Sequence, residues 1–197
     1  MNKNRFFYTL ITLLSLLFIT LIPTDAEGAV YEDTVRLHIL ANSDSEEDQA
    51  LKLTVRDAVL SEYSALLASL DSAENAKEKL EAELESIRIF CEGVIMVEGY
   101  DYCVTVTIGE EWYDTREYDD FTLPRGIYTS LRIIIGEGEG KNWWCVMYPP
   151  LCLNVCVESA PADDAIKKYT DEQIKLISDK GYRVKFKILE LISDAFS

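Results

Sequence analysis

Hydrophobic positions change their spacing several times along the chain, and each change marks an element. Val35, Leu37, Ile39 and Ala41 alternate with Arg36 and His38, the period-two pattern of a strand with one buried face. Asn42 to Ser45 follow, four residues whose side chains can bond the open N–H groups of a helix start. Glu46, Glu47 and Asp48 then place acids in the first helical turn, where the helix dipole favours them. Leu51, Val55, Ala58, Val59, Tyr63, Leu66, Leu67 and Leu70 form a helical stripe. Asp71-Ser72 breaks that stripe and caps a second helix, with Ala73, Ala76, Leu80, Leu84 and Ile87 on its inner side.

Residues 85–98 fit two templates. Ile87, Ile89, Val94, Ile95 and Val97 are β-branched, yet their spacing also suits a buried helix interrupted at Gly93. From Tyr102 the period is two again: Val104, Val106 and Ile108 predict a strand ending at Gly109. An aromatic, acidic loop with Trp112, Tyr113, Tyr118 and Phe121 follows, and Leu123-Pro124-Arg125-Gly126 reads as a turn. Ser130 to Ile135 predicts a buried strand, residues 136–140 a glycine-rich hairpin turn, and Asn142 to Met147 the returning strand. After Pro149-Pro150, residues 161–179 have helical character, and 181–197 read as a short helix or a loosely held tail. The sum is an α+β fold: an antiparallel sheet of about four strands with two or three helices on one face, behind an N-terminal signal segment.

That segment begins with Lys3 and Arg5, continues through an apolar run from Phe6 to Ile22, and ends in small residues. Thr24-Asp25-Ala26 and Ala26-Glu27-Gly28 both fit a small-x-small cleavage site. The run also sits at the lower limit for spanning a bilayer, so an uncleaved anchor is the alternative. The domain expectation is therefore 1–29 as signal peptide or anchor, 30–160 as the α+β domain, and 161–197 as a helical extension. Residues from about 30 onward are expected to work outside the cytoplasm.

The formal net charge of −16 argues against nucleic acid and against an anionic membrane surface as partners. Cleavage after Ala26 would remove Lys3, Arg5 and Asp25 and take it to −17. Five cysteines in an exported chain permit disulfides. Cys145 and Cys152 flank the two prolines and can close a short loop; buried free thiols are the alternative. No CxxC pair is present and Cys152-x3-Cys156 lacks histidine partners, so no metal or other cofactor is expected.

Candidate chemistry is sparse. His38 is the sole histidine, and a hydrolase would recruit it with Ser43 and Asp44, but there is no G-x-S-x-G elbow and the serines occupy capping positions. The glycines of 136–140 resemble a phosphate loop only superficially, because Lys141 is followed by Asn142-Trp143-Trp144 and two glutamates would repel phosphate. Calcium binding by Asp44, Glu47 and Asp48 lacks an EF-hand pattern. Trp143 and Trp144 point to opposite sheet faces, one a core residue and the other a cover or a partner anchor.

Two long motifs carry a resemblance. The run RLHILANSDSEEDQALKLTVRDAV from Arg36 to Val59 resembles the opening of stage II sporulation protein R from endospore-forming Firmicutes. The run LRIIIGEGEGKNWWCVMYPPLC from Leu131 to Cys152 resembles that family's second signature. The resemblance spans roughly 31–155 and favours a helix for 85–98. It implies a protein exported from the forespore into the space between the two sporulating compartments, and not an enzyme. There it would activate a membrane-bound aspartic protease that processes the sigma-E precursor in the mother cell. Membrane contact would come only through an uncleaved N-terminal segment. On this reading Arg36, His38, Asn42, Ser43, Asp44, Arg56 and Asp57 are the expected partner-binding residues, with Trp143 and Trp144 as anchors. The runner-up is an exported hydrolase acting on cell wall or glycan.

Overall fold

The computed structural model describes residues 3–19, 24–118, 121–151 and 166–178. Helix α1 (Lys3–Ile19) precedes α2 (Asp25–Glu32), strand β1 (Val35–Leu40), and helices α3 (Glu46–Ala68), α4 (Ala73–Ala82) and α5 (Leu84–Val97). Strands β2 (Val104–Tyr113), β3 (Arg116–Glu117), β4 (Thr122–Leu123), β5 (Gly126–Ile135) and β6 (Asn142–Tyr148) follow, then helix α6 (Asp171–Ile177). Among the described residues no helix is long and apolar enough to cross a membrane.

The main sheet has the order β2-β5-β1-β6 and is mixed, which corrects the antiparallel expectation. β2 and β5 are an antiparallel hairpin, and β6 runs antiparallel to β1, but β1 and β5 are parallel. Between β1 and β5 the chain traverses three helices and the edge strand β2, enough length to return in the same direction. The hairpin expected across residues 136–140 is also overturned. β5 and β6 both pair with β1, so the glycine-rich segment steps over the end of β1 instead of joining neighbours. Side-chain periodicity reports which face a residue occupies, and is silent on which strand lies alongside.

β1 therefore has a neighbour on either edge, and layers on both faces. Residues 35–39 are all buried, where a single buried face was expected. Leu37 and Ile39 pair beside Leu131, Ile133 and Cys145 and share one core cluster with the inner residues of α3 and α5, including Val55, Val59, Ile87, Cys91 and Ile95. Residues 84–97 are helical, in line with the resemblance, and Glu83 separates α5 from α4, so Leu84 and Ile87, expected on the second helix with Ala73, belong to α5. β2 runs past Gly109 to Tyr113 and β5 starts at Gly126, so much of the expected loop is strand.

The opposite face is covered in part by the β3–β4 hairpin and by α2. Thr24 caps α2: its hydroxyl accepts from Glu27 N at 3.2 Å, while Glu27 Oε2 accepts from Thr24 N at 2.7 Å. Tyr31 on α2 meets Tyr128 edge-on and donates to the Arg125 carbonyl at 2.8 Å. α6 is tied to the same region by Gln173 Nε2 donating to Asp33 and by the Thr34–Tyr169 hydroxyl pair. Cys91 is a buried free thiol, Cys103 an exposed one, and Cys145 is disulfide-bonded. Cys152, its expected partner, lies outside the described residues, as do residues 161–165 and 179–197 of the expected extension.

Candidate functional site

The residues expected to bind a partner fall into three places. The first is the strand-to-helix corner. Ser45 caps α3 by accepting from Asp48 N at 3.1 Å. Asp48 is buried and accepts from Asn42 Nδ2 at 2.9 Å and from the Ser43 hydroxyl at 2.5 Å. Burial pushes the Asp48 carboxyl up, but hydrogen bonds from Ser43, Asn42 and Tyr102 outweigh it and hold it below the usual range.

The corner also bonds the glycine-rich loop. Asn42 Oδ1 accepts from Glu137 N at 3.1 Å, Asp44 Oδ1 from Lys141 N at 2.7 Å, and the carbonyls of Ala41 and Asn42 from Gly140 N and Glu139 N. Buried Lys52 donates to Gln49 Oε1 and to the Lys141 carbonyl, both at 2.7 Å, and burial lowers its pKa. Gly136 needs its positive φ of 58° to turn here, and a Cβ on Gly140 would collide with the Ser43 carbonyl. The two sequence motifs thus hold each other. Asn42, Ser43 and Asp44 serve this clamp.

The second place is on the helix side of the sheet, where Arg56 lies over the Trp143 ring at 4.9 Å and donates to Asp57 at 2.7 Å.

The third is the opposite sheet face, and it carries the most charge and aromatic surface. Register aligns Trp144, His38 and Arg132 across β6, β1 and β5. His38 stacks on Trp144 with ring centroids 5.5 Å apart, and Arg116 from β3 lies over the same indole at 3.8 Å. His38 Nδ1 is 2.8 Å from Glu111 Oε1 and Nε2 is 2.9 Å from Asn142 Oδ1. Both ring nitrogens are engaged, so neither is free to take a proton from a nucleophile, and Ser43 is committed to Asp48 at the corner. This geometry gives the hydrolase reading no nucleophile–base pair at His38.

Glu111 is the shared carboxylate of this face. Tyr113 donates to it at 3.0 Å, and Arg132 Nε stands 3.6 Å away, an ion-pair distance too long for a hydrogen bond. Burial pushes Glu111 up, yet the His38 charge and bonds from Ser130, Tyr113 and His38 prevail and hold it below its usual range.

Arg36 is wholly buried beside it. Its guanidinium lies 3.9 Å from the Tyr113 ring centroid and 5.1 Å from that of Tyr128, and Nη2 donates to Tyr118 Oη at 2.7 Å. Its Nε and Nη1 have no hydrogen-bond partner among the described residues. Burial raises the pKa of Tyr113, Tyr118 and Tyr128, so these phenols stay neutral and none supplies a compensating charge. Cation–π contact offsets part of the desolvation, about 2 kcal/mol for a well-buried pair.

Sequence reasoning found Arg36, His38 and Trp144 on this face and missed Glu111, Tyr113, Arg116 and Arg132. Glu111 and Tyr113 continue the alternation of β2 beyond Gly109, and that continuation was the available signal. Asp48 and Lys52, the hub of the corner, were likewise hidden among many charged helix residues.

Residues 31–158 match the family model of stage II sporulation protein R. Stage II sporulation protein R of Bacillus subtilis (strain 168) is 32% identical over 185 residues, covering 84% of this chain and 83% of that protein. No solved structure matches the chain.

Proposed function

Because the chain belongs to the stage II sporulation protein R family and so has a role in sporulation, we propose that it is the exported signal by which one sporulating compartment instructs the other. The observation that carries this is the extent of the match, which spans both motifs and nearly all of the sheet. The domain passes into the space between forespore and mother cell and binds the extracytoplasmic part of a membrane-bound aspartic protease. It binds that protease's active state more tightly than its inactive one, which is the only way a ligand shifts such an equilibrium. The sigma-E precursor is then processed in the mother cell.

A signal of this kind needs a rigid surface and no reacting group of its own. The mutual clamp of corner and loop supports the first requirement, and the doubly engaged His38 supports the second. Of the three places, the His38–Trp144 face is the contact surface of this reading. The test is to add the purified exported domain to membranes bearing the protease and score precursor cleavage. Cleavage that depends on the domain is expected. Cleavage indifferent to it refutes the proposal, and release of product from peptidoglycan by the domain alone points to the hydrolase reading.

A further inference from the structure

The chain carries 35 acids against 19 Lys and Arg, so a local excess of positive charge has to be explained. On the β3-covered sheet face three guanidinium groups, Arg36, Arg116 and Arg132, confront one carboxylate among the described residues, that of Glu111. Glu117 follows Arg116 in β3, where alternation sends it to the other side. Neither Arg36 Nε and Nη1 nor Arg132 Nε has a hydrogen-bond partner among the described residues, although all three atoms are buried. Buried donors are nearly always satisfied, so open ones in a folded domain mark an unfilled demand for an acceptor.

The geometry says which acceptor fits. Arg116 sits over Trp144, its guanidinium carbon 3.8 Å from the ring centroid. A guanidinium is a fork of donors that matches a carboxylate with two parallel bonds. Trp144 and Arg132 stand two strands apart across His38, roughly 10 Å at the usual strand spacing. That span equals about three residues of extended chain.

We propose that this face docks an acidic protein segment, with Arg116, seated over Trp144, and Arg132 receiving two of its carboxylates. Arg36 lies below that surface and contributes its positive field, not a direct contact. The inference deepens the signalling reading and rests on it, since it states the chemistry by which the partner is recognised. A like-charged partner is otherwise repelled by a chain of net charge −16, so a confined positive window also orients the encounter.

The probe is a fluorescent ten-residue peptide containing four glutamates, compared with its glutamine counterpart, titrated into the exported domain at 50 and 300 mM salt. The glutamate peptide is expected to bind and to weaken several-fold at the higher salt. Arg116→Gln and Arg132→Gln, both at partly exposed positions, are each expected to weaken it roughly fivefold. Lys79→Gln on α4 makes the same charge change elsewhere and should leave binding unaltered.

Equal binding of the two peptides, or equal effects of all three variants, overturns the proposal. So does tighter binding to anionic phospholipid vesicles than to the peptide. Nitrogen-15 spectra of the free domain give an independent check, because an Arg132 Nε–H already strongly hydrogen-bonded would also overturn it. In the precursor-cleavage assay, a double Arg116→Gln, Arg132→Gln variant that signals normally refutes this inference alone. A wild-type domain that cannot signal refutes the parent reading, whatever the peptide shows.

Discussion

Replacing Asn42 by alanine tests the clamp between the corner and the glycine-rich loop. Two hydrogen bonds vanish together: the one from Glu137 N to Oδ1 and the one from Nδ2 to Asp48. A bond to a buried carboxylate is worth about 1.5–3 kcal/mol and a neutral one about 0.5–1.5. Asn42 is partly exposed, so water recovers some of this, and the low ends sum to about 2 kcal/mol. For a domain of this size that corresponds to a fall in Tm of about 4–8 °C. Urea unfolding followed by circular dichroism measures the first quantity, with the m-value expected to stay constant. Hydrogen exchange locates the effect: the amides of Glu137, Glu139 and Gly140 should exchange faster while those of β1 and β5 hold. A loss below about 0.5 kcal/mol, with loop exchange unchanged, would mean that the loop is seated by other forces.

Gly140→Ala should be the more damaging change, about 3 kcal/mol, because the added methyl meets the Ser43 backbone and not a movable side chain; thermal melts check it. Asp48 and Glu111 both have folded pKa values below their unfolded ones of about 3.9 and 4.3, so their stabilisation is complete above that range. Stability should therefore fall as pH drops through about 4, and Glu111→Gln should flatten part of that slope in urea melts taken from pH 6 to 3. Without denaturant a thiol reagent should label Cys103 quickly and spare Cys91, which is buried and pushed up to about 12; rapid labelling of both would refute the packing of α5.

Much of this architecture was legible in the pattern of residues. Ser45 with Glu46, Glu47 and Asp48 announced the start of α3, because capping is a local matter settled by neighbours in sequence. The strands at 104–108, 130–135 and 142–147 were visible through their alternation. Strand neighbours were not. β1 lies between β5 and β6 because of where distant segments pass, and no local spacing encodes that. The same gap hid the role of the glycine-rich loop, whose glycines suit a hairpin equally well. Arg36 and His38 looked like an outward polar face because a second covering layer, drawn from β3, β4, α2 and α6, lies far off in the chain. Glu111 and Arg132 gain meaning only from cross-strand register, which sequence alone leaves open.

On the export reading proposed above, the cap of α2 ties export to folding. Signal peptidase prefers small residues, and here those residues are also the first turn of a packed helix. A cut after Ala26 would take Thr24 away and strip α2 of its N-cap, at a cost of about 1 kcal/mol. A cut after Gly28 would remove buried Glu27 as well and leave Val30, a wholly buried core residue, as the second residue of the chain. A cut ahead of Thr24, or none, leaves α2 whole. The mature N-terminus is thus a structural variable: where the peptidase acts decides whether the face beside Tyr128 keeps its cover. Edman or mass-spectrometric definition of that terminus therefore belongs before any measurement of how firmly the domain holds together.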